Sequence, residues 1–510
     1  MAISNAIGTE RVSRITGYQL TAGNFQNVSP NLPQRIAVLG EGNTANQATM
    51  PTTATEVTSA QQAGELFGWG SPIYNMMRIL RPVSGDGVGG IPTIVYPQLE
   101  AGGAVAQVMT LTVTGTATAN STHNVLIGGR SGVDGENYSF SVLVGDTATA
   151  IATKITDSIN NVLGSPVIAT SALGVVTLTA KWKGETGIDL QTEVNDNDAA
   201  SGMTYSVVYT TDGSGLPTVT TSLNEFGNEW NTIVVNSYNM EATDILDELE
   251  AFNGKPDPVT PTGRFVGNIM KPFIALTGSL DGVFANGTPE TDSRKDQLTI
   301  AVCPAPESKG LPMEAAANMA VLFARISQDN PHLDVAGNAY PDMPTATPSA
   351  TNGMLTYDGR DAFVKKGFST VDILNGKYVV QDFVTTYHPI GEAVPQYRFC
   401  RNLIIDFNVK FGYHLLEEIN VVDHAIANDS DVVSVSKVIK PKQWIAILNT
   451  YADDLSKRAL IAEPSFMQDS LIVGLSTSNP DRLETFFRYK RTGFVRIAAT
   501  TAEAGFNFGN

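Results

Sequence analysis

Arg35-Ile36-Ala37-Val38-Leu39-Gly40 is an apolar run closed by a glycine. A run this short and this apolar predicts a strand buried on both faces. Two helix starts follow. Ser59 with Gln62 makes a capping box before Ala63–Phe67, and Ser71-Pro72 sets a cap residue and a first-turn proline ahead of Ile73–Leu80. Ile91–Tyr96 is strand again, so the segment reads β-α-α-β and predicts an α/β core. Upstream, residues 1–30 are punctuated by Gly, Ser and Asn, with apolar positions only at intervals: Ile7, Val12, Ile15, Tyr18 and Leu20. That is too little surface to pack alone, and the segment is expected to be an extended arm.

Downstream, residues 107–216 change texture to Thr/Val/Gly alternation. Met109–Thr114, Tyr138–Val142 and Val175–Thr179 alternate with period two, and Asp146 is expected to cap a helix with Ile151, Ile155, Ile159 and Val162 on one face. The expectation is a β-rich peripheral domain of strand–strand–helix–strand type, inserted between the two halves of a core spanning 31–106 and 217–395. The α/β texture resumes with strands at Thr232–Asn236, Phe273–Leu276 and Leu298–Val302. Helices are expected at Ala242–Phe252, stopped by Gly254, and at Pro312–Ile326. Ile373–Val380, with Asn375-Gly376 at its tip, predicts a hairpin. Residues 396–482 read as a C-terminal helical, α+β domain, with long helices near Tyr397–Ile426 and Pro441–Arg458. Residues 483–510 read as strands at Leu483–Lys490 and Phe494–Ile497 followed by an arm; a helix after Asn479-Pro480 competes for the first of these.

The 510 residues allow several cores, and 42 % hydrophobic content excludes wholesale disorder. Charged residues are scarce, 16 % against about 25 % in an average soluble chain. Repeated protein–protein contact favours such a surface, and so do Thr-rich sheets. The net charge of −18 disfavours nucleic acid and anionic lipid. From Lys437 onward, however, ten Lys/Arg face seven Asp/Glu, against 23 and 44 before it. Cys303 and Cys400 give no disulfide framework, no apolar run is long enough for a membrane span, and the start lacks a signal-peptide core, so synthesis in a reducing cytoplasm is expected.

Gly85–Gly90 matches Gly-x-Gly-x-x-Gly, but a helix precedes it and Ile91-Pro92 follows, so it reads as a loop and not as a phosphate cradle. His123, His332, His388, His414 and His424 show no metal-ligand spacing, and Asp423-His424 has no nucleophile elbow to serve. Asn195-Asp-Asn-Asp198 lacks the glycine and closing glutamate of a calcium loop. No enzyme activity, cofactor or metal is expected. Arg488, Lys490, Arg491 and Arg496, interleaved with Phe486, Phe487, Tyr489 and Phe494, suit either an acidic protein partner or a plain half-buried sheet.

Three stretches together resemble a known family. Arg35–Gly40 with Val57–Gly68 and Gly70–Ile73, the inserted Val144–Ile151 with Gly174–Lys181 and Lys183–Gly187, and Ser478–Arg482 with Arg488–Thr492 are similar to the contractile-tail sheath proteins of phages, in particular the Mu-like branch. One departure is Arg11–Tyr18, where the family often carries a proline. The resemblance implies a core sometimes described as subtilisin-like by fold, without proteolysis. It implies a homo-oligomer, a helical stack of rings around an inner tail tube, with baseplate and tail terminator proteins as further partners. The location implied is the virion tail, assembled in the host cytoplasm, with contraction driving the tube through the host envelope.

From the residues themselves come two expectations. The chain ends, carrying Ile7, Val12, Ile15, Tyr18, Leu20, Phe494, Val495 and Ile497, are expected to add strands to a neighbouring copy. Lys437, Lys440, Lys442, Lys457, Arg458, Arg488, Lys490, Arg491 and Arg496 are expected to face an acidic tube. The readings set against these are a carbohydrate-binding adhesin using the Thr-rich insert and a hydrolase using the α/β core.

Overall fold

The computed structural model describes residues 30–197, 200–392 and 395–506. These fall into two units, a larger one of residues 32–411 with 491–506 and a smaller one of residues 30–31 with 412–490.

The larger unit is built on a six-stranded sheet in the order β15-β14-β13-β1-β3-β2. Strands β1 (Ile36–Glu41), β3 (Thr93–Gln98), β13 (Ile233–Asn236), β14 (Ile274–Ser279) and β15 (Ile300–Pro304) are parallel, and only the edge strand β2 (Thr55–Glu56) runs against them. Every residue of the five parallel strands is buried, as strands covered on both faces require. Helices α1 (Ala60–Phe67) and α2 (Pro72–Leu80) join β2 to β3. Ser59 Oγ accepts the Gln62 N–H at 3.1 Å as expected, but the Gln62 side chain turns to the Thr58 N–H and leaves the capping box half made. Ser71 Oγ accepts the Tyr74 N–H beside Pro72.

After β3 the chain leaves the central sheet and returns only at β13. It forms β4 (Val108–Gly115), β5 (Ser121–Ile127), a small hairpin of β6 (Gly132–Val133) and β7 (Glu136–Asn137), β8 (Ser139–Val142), α3 (Ala148–Asn160), β9 (Val167–Ala172), β10 (Val175–Ala180), β11 (Thr192–Asn195) and β12 (Met203–Thr211). Two antiparallel sheets result, β12-β4-β10-β9 and β11-β5-β8, more strands than the alternation pattern signalled. Ile151, Ile155 and Ile159 are buried on α3. Its cap is Thr147, whose hydroxyl accepts the Ala150 N–H; Asp146 instead accepts from Leu143 N–H and pairs with Lys154 at 2.6 Å. At one place this excursion meets the core through charges: Arg130 and Arg78 both reach Asp342 at 2.8 Å, and both contact Glu314.

The remaining elements are α4 (Thr220–Asn224), α5 (Thr243–Asn253), α6 (Phe284–Ser293), α7 (Pro312–Asp329), α8 (Tyr357–Lys365), the hairpin β16 (Thr370–Leu374) and β17 (Lys377–Asp382), and α9 (Cys400–Asn420). Asn375 and Gly376, both at positive φ, form the hairpin tip as predicted. Helix α6 was not expected, because Phe-Ala-Asn-Gly-Thr-Pro carries no apolar period and holds Pro289 inside. Helix α9 is shorter at both ends than Tyr397–Ile426.

Helix α7 packs on β13, β14 and β15 and against α2. At Gly278 the approach leaves no room: a Cβ there would lie 1.7 Å from the Pro312 carbonyl oxygen. Gly278→Ala is therefore expected to destabilise the larger unit by about 3 kcal/mol or more, read from the urea midpoint at unchanged m-value.

Candidate assembly surface

In the smaller unit, β18 (Ala425–Ile426) and β19 (Val438–Ile439) form a short parallel pair. Helix α10 (Pro441–Lys457) starts on its proline, and β20 (Ile461–Ala462) precedes α11 (Pro464–Ser470). Strands β21 (Ile472–Leu475) and β22 (Leu483–Phe486) then pair antiparallel, with Ile472 opposite Phe486 and Leu475 opposite Leu483. Asn479-Pro480 sits in the connecting turn and starts no helix, and the strand expected over Leu483–Lys490 ends at Phe486.

The β21–β22 sheet is held from one side. Trp444, buried on α10, donates its indole N–H to Thr485 Oγ1 at 3.1 Å, and the Tyr413 ring stands between Trp444 and Phe487 at 5.8 and 5.5 Å. Elsewhere it is bare. Ile472 is 65 % exposed and Phe486 50 %, and an open groove runs along Tyr413, Glu417, Gly474, Leu483 and Glu484. Two strands make a marginal sheet, and neither outer edge has a ladder partner among the described residues. Open edges of this kind are where a further strand can add.

The last described segment, 491–506, belongs to the larger unit and carries no strand after Arg491, so Phe494–Ile497 is not the in-chain strand expected. The reason is its pattern of attachment. Arg491 holds Asp406 with two bonds of 2.7 and 2.6 Å, Arg401 donates to the Thr492 carbonyl at 2.8 Å, and Arg496 grips the buried Asp334, contacts Asp382 at 3.4 Å and stacks 3.6 Å over the Phe399 ring. Side chains tie the segment down while its backbone from Thr492 onward forms no strand. Val495, Ile497 and Phe506 meanwhile stand 80, 78 and 89 % exposed. Ile7, Val12, Ile15, Tyr18 and Leu20 lie outside the described residues.

The basic residues divide. Lys437, Lys442, Lys457 and Arg488 are exposed and make no ion pair among the described residues, although Arg488 lies over the Phe486 ring. Lys440 donates its ammonium to the Asp431 carbonyl. Arg458 bonds Asn31 at 2.6 Å and pairs with Asp454, and Lys490 pairs with Glu463 at 2.5 Å over the Phe466 ring. Arg491 and Arg496 are committed to the carboxylates named above. Those acceptors, Asp334, Asp382 and Asp406, lie 85 to 162 positions away in sequence and left no local signal. Among the described residues no group of His, Cys, Asp and Glu could hold a metal ion, and no helix is long and apolar enough to cross a membrane.

Removing Arg496 would strand the buried Asp334 carboxylate. Arg496→Ala is expected to cost about 3 kcal/mol in urea unfolding and to expose residues 492–506 to protease, whereas Arg488→Ala should cost less than about 0.5 kcal/mol.

No family model matches the chain. The Mu-like prophage FluMu tail sheath protein of Haemophilus influenzae is 24 % identical over 457 residues, covering 88 % of this chain and 88 % of its own length. Among solved structures, a sheath tail protein of Desulfitobacterium hafniense has 12 % identity and a TM-score of 0.42, covering 94 % of this chain and 100 % of its own. One from Listeria innocua has 11 % identity and a TM-score of 0.42, covering 92 % and 94 %. The helical sheath of the anti-feeding prophage in its contracted state has 10 % identity and a TM-score of 0.40, covering 98 % and 100 %. Likeness at these TM-scores carries no further argument. By sequence, over most of its length, the chain is similar to a tail sheath protein of the Mu-like kind, the branch its own motifs resemble.

Proposed function

We propose that this chain is a structural subunit of a contractile phage tail sheath, polymerising around an inner tube and contracting to drive that tube through the host envelope. The observation that carries the reading is the similarity to the FluMu sheath protein, which runs through 88 % of both chains. The bare β21–β22 sheet supports it physically, because backbone edges are satisfied most cheaply by strands from another copy. In this reading the core is the subtilisin-like sheath fold without its chemistry, and residues 107–216 decorate the periphery. The partners are further copies of the chain, the tube, the baseplate and the terminator, in a virion tail assembled in the host cytoplasm. The work is done by assembly and repacking and needs no cofactor.

Strand donation falls to the chain ends, residues 1–30 and 483–510. The tube contact falls mainly to Lys437, Lys442 and Lys457, which are exposed, more than to Arg491 and Arg496, which already serve Asp406 and Asp334. Negative-stain imaging of the purified chain is expected to show hollow cylinders; monodisperse particles under all conditions would remove the reading. Deleting residues 1–25 should leave a folded chain that forms no cylinders. Reversing Lys437, Lys442 and Lys457 to Glu should weaken co-sedimentation with tube, most visibly at low salt where charge contacts are least screened.

A further inference from the structure

The carboxyl ends of the central sheet form the crevice in which open α/β sheets hold ligands, at the point where strand order reverses. Here that point lies between β1 and β13. It is filled by the chain's own excursion. The Thr44 N–H reaches the Lys181 carbonyl at 2.9 Å, the Thr186 hydroxyl donates to Glu41 Oε2 at 3.0 Å, and the Lys183 N–H donates to Glu100 at 3.1 Å. Asn239, just past β13, donates to Asp189 at 3.3 Å. Trp182 is fully buried beneath, its indole N–H on Thr186 Oγ1.

Two carboxyl groups lie in this seam, Glu41 fully buried and Asp189 partly exposed. At the end of β1, among the described residues, Glu41 Oε1 has no well-formed hydrogen bond; the Tyr238 phenol and, next to that, the Ser237 hydroxyl are the polar groups at hand. The groups facing Glu41 are Glu100 after β3, Glu185 in the excursion and the Tyr238 phenol after β13, with no cation among them. Asp189 faces Asn239 and Glu241. Lys181, the cation of the seam, spends its ammonium on the carbonyls of Trp69 and Leu163.

We propose that the joint between residues 107–216 and the core is pH-sensitive, and that ionisation of Glu41 and Asp189 loosens it at this end. A carboxylate formed at Glu41 would be sealed from water among acids with hydroxyl donors only, and one at partly exposed Asp189 would have the Asn239 amide beside it and the like charge of Glu241 near it. Burial raises Glu41 from its ordinary 4.5 to about 8 and Asp189 from 3.8 to about 7. Both values rise on folding, so the seam is most secure below the ordinary 4.5 and 3.8, loses stability progressively as pH climbs from there to about 8 and about 7, and loses no more above. Lys181, lowered to about 8 by burial, works in the opposite sense, since its neutral form suits the seam. The distant Arg78–Arg130–Glu314–Asp342 contact is a set of opposite charges without an orphan carboxyl, and there the excursion stays attached. Loosening is therefore one-ended.

Hydrogen exchange of the full chain, corrected for intrinsic rates and followed from about pH 6 to about pH 9, tests this. Protection of peptides covering 181–190 should fall by about tenfold per pH unit for each proton released on opening and level off above about 8, and that of 128–135 should hold. In the Glu41→Gln, Asp189→Asn variant, which keeps shape and removes the titration, the fall should vanish or reverse with Lys181. Equal wild-type protection at both ends of the range, an equal loss in both peptides, or an unchanged fall in a folded variant would overturn the proposal. Should the variant not fold, the contrast between the two wild-type peptides decides alone.

Discussion

The pairing of β1 between β3 and β13 is the constraint on which the larger unit rests. Ile36 to Leu39 lie opposite Thr93 to Tyr96 on one side and Ile233 to Asn236 on the other, so this one strand joins two segments 140 residues apart, from Thr93 to Ile233. Because it is covered on both faces, its sequence must be apolar at consecutive positions, and because its neighbours are parallel, each must be reached by a crossover. Everything between β3 and β13 is consequently free to be something else, provided it leaves at the carboxyl end of β3 and enters β13 at its amino end. The antiparallel sheets built from residues 108–211 occupy that freedom.

This explains what could be read in advance. Arg35–Gly40 announced β1, Ser71-Pro72 announced α2, Pro312 and Pro441 announced their helices, and Asn375-Gly376 announced the hairpin, because each depends on residues within one turn of itself. Helix α6 has no apolar stripe, β21 is four residues with a central glycine, and Thr147 outcompeted its neighbour Asp146, which had Lys154 to hold. In these places tertiary contacts chose among options that local chemistry left equal.

The candidate assembly surface was legible in outline only. The strand at Leu483–Phe486 is visible in the residues, but the Trp444–Thr485 bond that braces its sheet is not. Nor are the carboxylates that draw Arg491 and Arg496 onto their own unit. Glu41 gave a faint sign, an acid ending an otherwise apolar run, whereas Asp189 sits in an undistinguished turn. Side chains that matter through partners far along the chain leave no periodic trace.

The exposed Ile472–Phe486 pair on a ribbon only two strands wide has a thermodynamic corollary. A ribbon of that width gains its remaining cohesion only by encounter, so its resistance to heating should depend on how crowded the solution is with like molecules. Dilution would act on it as a mild denaturant, and the isolated subunit would be the least durable form of the protein.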